Sequence, residues 1–515
     1  MLVNLSLLNV RLEWTLLCAC LLCTACTPNV TAQPTAQVET EDQSARDLEL
    51  TILTDRQIRP QLPPALFGFN IHQWHFQDEL TLSRGRVRPH VIQELRKLPG
   101  AIYRYPGGLL ANVFDWPNAR GTQGNRRPQK LVKWSSAQKV SFGLEEYLDF
   151  VMATGGQPWL VANLVGWHAD KIMHELPIEQ VAAENAAVVA AAWKYLKKHN
   201  YLDAREPLYV ELGNELDRAK WEWPHQKYIE RSRATIEAIK AVVPNVRFVA
   251  FLRDFDWRYR DAARAGQYSR MPDFVSDVLQ ALPEVNDFSL HYYYDDPGLE
   301  HKNPKKIPWR LRQFQNTLAV AKQVRPNIQL WVTEHARGVN LTQPKPMSRA
   351  RVTSNFDAAL SVADFMGAMV AMPEVAGAAL HGLNAGPWQV FDATAQHRDL
   401  RPRPTLPLMQ MLADQVGKPV LEHVLRDSKP PVYADQYTLR ATVFDHGLSQ
   451  VVWIVNRDEL PRELKVVQQQ GNQRTPCSVQ MLRVMNRSGT QSARARAVQQ
   501  VELPPRSISV LSACQ

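Results

Sequence analysis

Two glutamates follow apolar runs of the length that buried strands have. Glu215 ends the run LYVELGNE, directly after Gly213 and Asn214, and Glu334 lies in QLWVTEH. Gly, Asn and charged residues are disfavoured inside strands, so each run ends where its polar residues begin. One explanation is a strand that runs into a solvated turn. The other is a pair of carboxylic acids that cleaves a glycosidic bond, in which one protonates the leaving oxygen and the other attacks the anomeric carbon or activates water.

The elements that would hold these glutamates recur regularly along the chain. Eight apolar runs of strand length occur between Ala65 and Asn384: ALFGFNIH, AIYRYPGG, PWLVANLVG, LYVELGNE, RFVAFLR, DFSLHYYY, QLWVTEH and VAGAALHGLN. Segments between them, such as 178–199 and 227–243, place apolar residues three and four apart as amphipathic helices do. Strands that alternate with helices predict parallel βα units, and eight units predict an α/β fold, a (β/α)8 TIM barrel over residues 61–412.

Polar residues end most of these predicted strands. Active sites of such barrels lie at the carboxyl ends of the strands. A barrel rim needs no polar cluster for stability, so the shared position predicts a functional site. Besides the two glutamates, the residues at the predicted strand ends are Arg104, Asn163, His291, Tyr293, His335, His381 and Asn384.

The C-terminal region has a different pattern. After Gly417, closely spaced runs such as YTLRATVFDH and LSQVVWIVNRD predict strands without intervening helices, and hence a β-sandwich over residues 413–515. The strand LELTILTD has no helix after it, and we expect the segment 48–60 to join that sandwich. Cys477 and Cys514 are predicted to form a disulfide, the alternative being two unpaired buried thiols.

The N-terminus predicts export. Residues 1–26 contain an apolar run too short to span a bilayer, with Arg11 before it and small residues before Cys26. This resembles a bacterial lipoprotein signal in which Cys26 is lipidated, and plain secretion is the alternative. Residues 27–47 are polar and read as a flexible tether. The predicted location is therefore the cell envelope or the exterior, with the membrane contacted through a lipid anchor.

Composition limits the other partners. The chain of 515 residues has a formal charge of +9, but it lacks the dense basic block with interleaved aromatics that is typical of nucleic-acid binders. We therefore expect no nucleic-acid partner, and the charge favours an anionic glycan only weakly. No Gly-rich loop opens a helix after a strand, which predicts no nucleotide cofactor. The histidines lack a ligand spacing such as HExxH, which disfavours a metal-dependent hydrolase. The oligomeric state stays open.

The ordered motifs resemble those of clan A glycoside hydrolases. They are YRYPGG with Asp115-Trp116 downstream, ELGNELD, HYY, WVTEH and the ending LPPRSISVLS. Within the clan, the chain is similar to family 51 α-L-arabinofuranosidases, with families 39 and 79 as neighbours. The resemblance implies that Glu215 is the acid/base and Glu334 the nucleophile of a retaining hydrolase, without a cofactor. It also implies the following: Asn214 holds the sugar 2-hydroxyl, Arg104 and Tyr293 bond to Glu334, and His291 lies beside Glu215.

Two positions depart from the family 51 pattern. His72 stands where those enzymes have Glu, and Leu109 where they have a small or polar residue that contacts the sugar. Both positions belong to the glycone pocket, so we expect an altered sugar preference, with His72, Asn163 and Trp388 among the substrate-binding residues. The predicted substrate is an extracellular polysaccharide or oligosaccharide. The alternatives are a pyranoside or uronic-acid glycan, and a catalytically silent glycan-binding lipoprotein.

Overall fold

The computed structural model describes thirteen segments of the chain. They are residues 46–71, 80–129, 137–169, 172–202, 207–216, 223–252, 271–295, 307–338, 354–383, 388–392, 400–427, 439–493 and 496–514. The predicted signal peptide with Cys26, most of the predicted tether, His72 and Asn384 lie outside these segments.

Eight parallel strands close into a barrel, and each of the eight predicted runs overlaps one of them. In spatial order they are β2 (Gly68–Asn70), β3 (Ile102–Tyr105), β4 (Gln157–Ala162), β7 (Leu208–Leu212), β8 (Val246–Phe251), β9 (Val285–Tyr294), β10 (Gln329–Arg337) and β11 (Val375–Leu380). Strand β11 pairs with β2 and so completes the barrel. A two-stranded hairpin, β5 (Gly166–Ala169) and β6 (Ile172–Glu175), follows β4. A second short antiparallel pair, β12 (Phe391–Asp392) and β13 (Arg401–Pro402), follows β11. The predicted fold class is confirmed.

Helices connect the barrel strands. Those described are α1 (Pro89–Leu95), α2 (Leu144–Thr154), α3 (Ile178–Lys198), α4 (His225–Lys240), α5 (Met271–Ala281), α6 (Ile307–Val324), α7 (Phe356–Val370) and α8 (Thr405–Ala413). Short 3-10 turns include Gly108–Val113 and Trp116–Ala119, which follow β3. None of the helices in the described segments is long and apolar enough to cross a membrane.

Successive side chains along each barrel strand point alternately inward and outward, which divides the barrel core into two clusters. Trp159 and Val161 of β4 belong to an inner cluster, whereas Leu160 between them packs in the outer core. The inner cluster is aromatic: the Trp159 ring centroid lies 4.6 Å from that of Trp331 and 5.0 Å from that of Tyr209. These residues stand near the amino ends of their strands. They fill the barrel below the polar residues and give those residues a rigid base.

The C-terminal sheet has ten strands and includes the first strand of the chain. Strand β1 (Arg46–Arg59) pairs antiparallel with β14 (Val420–Asp427) and parallel with β17 (Arg462–Gln470), so the N-terminal strand is part of this sheet. The other strands are β15 (Leu439–Asp445), β16 (Gln450–Asn456), β18 (Gln473–Pro476), β19 (Val479–Asn486), β20 (Gly489–Ser492), β21 (Gln500–Leu503) and β22 (Ser507–Ala513). Residues of β17 and β1 share one core with residues of β22 and β19 from the other half of the sheet, so the sheet folds over on itself as a sandwich. Cys477 and Cys514 form a disulfide within it.

Helix α7 joins the barrel to the sheet. All its residues except Asp357 are buried, because one side packs on the barrel and the other on the sheet. Its buried Asp364 pairs with Arg440 of β15, and its other carboxylate oxygen lies 2.9 Å from Arg457. Burial would raise the pKa of Asp364, but the two guanidinium groups outweigh it and hold that pKa below its ordinary value.

Candidate active site

The end of β7 turns sharply into the barrel mouth. Gly213 has φ 78° and Glu215 has φ 46°, so two of three consecutive residues adopt left-handed backbone. Glycine adopts it at little cost, but a glutamate there is strained, which is typical of residues held in place for function. A β-carbon at Gly213 would also lie 2.7 Å from a methyl carbon of Leu216. The turn explains why the strand ends on an amide and a carboxylate.

A β-bulge in β10 delivers Glu334. The pairing of β10 with β9 shifts register between Val332 and Glu334, and the pairing with β11 shifts between Val332 and His335. Strict alternation would turn neighbouring side chains to opposite faces of the barrel. Here Thr333 and Glu334 both reach the interior, as bulges beside active sites allow.

Glu334 is a buried carboxylate surrounded by positive charge and donors. Arg104 donates to its Oε1 at 3.0 Å, and Tyr293 donates its hydroxyl to Oε2 at 2.8 Å. Nδ1 of His381 lies 3.1 Å from the same Oε2. Burial would raise the pKa of Glu334, but His291, His381 and Arg104 outweigh it, so the pKa lies well below its ordinary value. Glu334 is therefore ionised at neutral pH, as a nucleophile must be.

Tyr293 remains a hydrogen-bond donor to Glu334 at neutral pH. Burial and then the negative charge of Glu334 raise the pKa of its phenol well above the ordinary value. Its ring also lies 5.5 Å from that of Trp388, whose indole nitrogen donates to the backbone oxygen of Arg337 at 2.8 Å. Trp388 is half-buried beside Tyr293 and His381, and its contact with substrate stays a prediction.

Arg104 links the polar residues of four strands. It is fully buried, and it donates to Asn70 at 2.8 Å, to Glu334 and to the Asn214 side-chain oxygen at 2.7 Å. Its Nε donates to Glu211 of β7. Burial would lower the pKa of Arg104, but Glu211 and Glu334 raise it above its ordinary value. One guanidinium thus holds both the carboxylate of Glu334 and the amide of Asn214, which precedes Glu215.

Glu211 is a carboxylate of the site that the sequence reasoning missed. Besides Arg104, it accepts from Trp159 at 2.9 Å, from Ser289 at 2.6 Å and from Thr333 at 2.9 Å. Burial would raise the pKa of Glu211, but Arg104 and the other donors lower it. The signal available in the sequence was the charged residue inside the apolar run LYVEL, which a buried strand tolerates only with partners.

Glu215 lies beside His291 and close to Glu334. Nδ1 of His291 is 2.9 Å from Oε1 of Glu215 and 3.5 Å from Oε2 of Glu334. One oxygen of each glutamate and a nitrogen of His291 all lie within 4.8 Å of one another. That spacing could admit a cation, but the guanidinium of Arg104 already pairs with Glu334 at 3.0 Å. We therefore do not identify these residues as metal ligands.

Asn214 keeps a buried donor available. Its side-chain oxygen accepts from Arg104, and its backbone is held by Asn112, to whose side-chain oxygen it donates at 3.0 Å. Its side-chain nitrogen is buried and has no hydrogen-bond partner within the described segments. Buried polar groups are rarely left unpaired, so this donor is suited to a ligand.

Asn163 and His335, at the carboxyl ends of two barrel strands, hold neighbouring parts of the structure. For Asn163 this differs from the predicted role. We predicted that Asn163 binds substrate, but both its amide hydrogens go to the backbone oxygens of Phe114 and Gly166. Its side-chain oxygen accepts from two backbone amides, so no atom remains for a sugar.

His335 packs against Tyr294 and Phe365 of α7, and burial lowers its pKa to about 3. Leu109 is 43% exposed, and His72 lies outside the described segments.

Comparison with known proteins agrees with this geometry. Residues 94–301 match the family model described as the alpha-L-arabinofuranosidase 1 domain. The chain is 26% identical over 218 residues to an intracellular exo-alpha-(1->5)-L-arabinofuranosidase of Streptomyces lividans, covering 41% of this chain and 30% of that protein. It is 23% identical over 282 residues to an exo-alpha-(1->6)-L-arabinofuranosidase of Bifidobacterium longum, covering 52% of this chain and 47% of the relative. The chain thus spans less than half the length of these two relatives.

A solved structure shares the whole fold. The family 51 arabinofuranosidase from Xanthomonas axonopodis pv. citri has a TM-score of 0.67 at 16% identity, and the match covers 91% of this chain and 100% of that one. At this identity the likeness concerns the fold. Taken together, these matches make the chain similar to family 51 glycoside hydrolases of clan A, the resemblance that its motifs indicate.

Proposed function

We propose that this protein is a retaining, arabinofuranosidase-like glycoside hydrolase of an extracellular polysaccharide or oligosaccharide. The observation that carries the proposal is the pair of carboxylates, whose oxygens approach within 4.8 Å across the barrel mouth. Retaining enzymes place the two groups about 5–5.5 Å apart, whereas inverting enzymes leave room for a water at about 6.5–9.5 Å. The spacing therefore favours direct attack by one carboxylate.

In the first step, Glu334 attacks the anomeric carbon. Its carboxylate forms a bond to that carbon while the glycosidic C–O bond breaks and its electron pair leaves with the oxygen. Glu215 gives its proton to that oxygen, so the leaving group departs as an alcohol and Glu215 becomes a carboxylate. Arg104, Tyr293 and His381 keep Glu334 ionised and oriented before the attack.

In the second step, water releases the sugar. Glu215 removes a proton from a water molecule, the water oxygen attacks the anomeric carbon, and the bond to Glu334 breaks. Both glutamates return to their starting states, and two inversions give net retention. The side-chain nitrogen of Asn214 is positioned by Arg104 to donate to the 2-hydroxyl, a contact that strengthens as charge develops on the ring.

The sugar preference is proposed to differ from that of family 51. Leu109 offers an exposed apolar side chain where a contact to the glycone is expected, and His72 replaces a glutamate there. These two residues favour a second candidate, the hydrolysis of a pyranoside or uronic-acid glycan by the same pair of glutamates. A silent glycan-binding protein is less favoured, because binding alone does not require a nucleophile held ionised by three partners.

Screening separates these functions. The purified chain is assayed against aryl α-L-arabinofuranoside, a panel of aryl pyranosides and uronides, and plant, algal and bacterial polysaccharides. Hydrolysis of the arabinofuranoside supports the first proposal, and hydrolysis of pyranosides or uronides alone supports the second. Glycan binding without turnover of any substrate would contradict both.

Export to the cell envelope is also part of the proposal. The signal-like N-terminus ending at Cys26 supports it, and so does the Cys477–Cys514 disulfide, because disulfides persist in oxidising compartments. The Streptomyces lividans relative is described as intracellular, so export would distinguish this chain from it.

A further inference from the structure

A continuous line of hydrogen bonds joins the buried Glu211 to the proposed acid/base. The Thr333 hydroxyl lies 2.9 Å from Oε1 of Glu211 and 3.1 Å from Nε2 of His291. On the other side of the imidazole ring, Nδ1 lies 2.9 Å from Glu215. Thr333, Glu211 and the His291 ring are all buried. Thr333 takes no part in the mechanism above.

The positions of the hydrogens follow from the chemistry of the three groups. Glu211 has four donors around it, so it is ionised and can only accept. Thr333 has a single hydroxyl hydrogen, and pointing it away from Glu211 would place two oxygen lone pairs against each other at 2.9 Å. The hydroxyl hydrogen therefore goes to Glu211. Thr333 must then accept from His291, which requires a hydrogen on Nε2.

From this arrangement we infer that Thr333 is a positioning residue that fixes the tautomer of His291. With Nε2 always protonated, only Nδ1 gains or loses a hydrogen, and Nδ1 faces Glu215. The Glu215–His291 pair then holds one proton, carried either on the carboxyl or on Nδ1, and it lies where the leaving oxygen must receive it. The role of this proton rests on the proposed function, whereas the tautomer does not.

The opposite tautomer would oppose the first step. A neutral ring with its hydrogen on Nδ1 would donate to Glu215 and stabilise the carboxylate, which cannot protonate a leaving group. The charged groups around the ring are Glu215, Glu334 and Glu211, and Arg104 pairs with the last two. Phe251 of β8 packs against the ring with centroids 5.2 Å apart and adds no charge. Glu215 and Glu334 face Nδ1 of the ring, whereas Thr333 contacts Nε2 and is the contact that requires a hydrogen there.

A pair of substitutions tests this role. Thr333→Val keeps the shape of the side chain but removes the hydroxyl, and Thr333→Ser keeps the hydroxyl. The full chain is labelled with ¹⁵N-histidine, and the signal of His291 is assigned as the one absent from His291→Gln. Spectra are recorded above the pH at which the ring becomes neutral. We expect the Nε2–H form in the wild type and in Thr333→Ser, and a detectable Nδ1–H population in Thr333→Val.

Kinetics provide the second readout. For substrates with poor leaving groups, Thr333→Val should lower kcat about 10- to 100-fold and move the alkaline limb of the pH profile to lower pH. Activated aryl glycosides should be affected less, and Thr333→Ser should resemble the wild type. An Nδ1–H tautomer in the wild type, or a Thr333→Val variant with an unchanged spectrum and profile, would overturn the inference. A wild-type chain that hydrolyses nothing refutes the proposed function instead, while the tautomer is still measured.

Discussion

At the scale of single residues, Glu334 and Glu215 differ in burial and in the charged groups that surround them. Glu334 has Arg104, Tyr293 and two histidines around it, and these keep it ionised despite burial. Glu215 is more exposed, and Nδ1 of His291 lies 2.9 Å from its Oε1. A pair of carboxyl groups in contrasting environments is how one site supplies both a nucleophile and an acid.

Removing the Tyr293 hydroxyl should make Glu334 harder to ionise. The folded-state pKa of Glu334 is depressed, and Tyr293→Phe deletes one donor that depresses it, so that pKa should rise. We expect the acid limb of the kcat/KM profile to move to higher pH and kcat to fall about 10-fold, which corresponds to about 1.4 kcal/mol. The control is Tyr294→Phe, whose hydroxyl contacts His335. If the acid limb of the kcat/KM profile does not move in Tyr293→Phe, Tyr293 does not lower the pKa of Glu334.

At the scale of elements, the strands were predictable and the details of their ends were not. All eight barrel strands overlap runs predicted from the apolar pattern, because burial on both faces gives parallel strands a continuous apolar signal. The β-bulge at Thr333 could not be predicted, because no residue type in the local sequence indicates it. The role of Glu211 could not be predicted either, because its hydrogen-bond partners come from other strands. Asn163 was misread because a polar residue at a strand end serves equally well to hold a loop.

The junction of the barrel and the sheet depends on Asp364. Asp364→Asn would remove the buried carboxylate that pairs with both Arg440 and Arg457, and breaking a buried ion pair typically costs about 3–5 kcal/mol. Arg457 would keep its pair with Asp295. The pKa of Asp364 is depressed, so its contribution is present above the unfolded-state pKa and is lost as pH falls through the folded-state pKa. Urea unfolding should therefore show that Asp364→Asn has a much lower free energy of unfolding than the wild type at neutral pH. The difference between the two proteins should become smaller as the pH falls.

The matched control for Asp364 is a surface ion pair. Asp414 pairs with Arg483, and both side chains are about half exposed. Asp414→Asn should cost under about 1 kcal/mol, because water and salt already screen that pair. Equal losses for the two substitutions would mean that the junction does not depend on the buried aspartate.

At the scale of the whole molecule, the chain combines an eight-stranded barrel with a sheet built from strands that precede and follow the barrel. Strand β1 enters the sheet before the barrel begins, and β14–β22 complete it afterwards. The disulfide joins residues 37 apart in the sequence near the C-terminus. The proposed anchor precedes β1, so it would hold the enzyme at a membrane surface through the predicted tether.

Lipidation is testable in the cell that makes the protein. Labelled palmitate should be incorporated into the wild-type chain and not into Cys26→Ser, because the acyl chains are attached at or through that residue. Cys23→Ser is the matched control, and it should retain the label. Equal labelling of the wild type and Cys26→Ser would mean that the lipid is attached at another residue. No labelling of the wild type would favour plain secretion.

The division of roles between Glu215 and Glu334 is tested most directly by chemical rescue. Glu215→Ala should lose far more activity on substrates with poor leaving groups than on activated aryl glycosides, which depart without a proton. Added azide should restore turnover of the activated substrates and give a glycosyl azide of retained configuration, because it attacks the intermediate on Glu334 without a general base. Glu334→Gln, as control, should lose several orders of magnitude on both substrate types with no rescue. Equal losses on both substrates in Glu215→Ala, or an azide product of inverted configuration, would contradict the account.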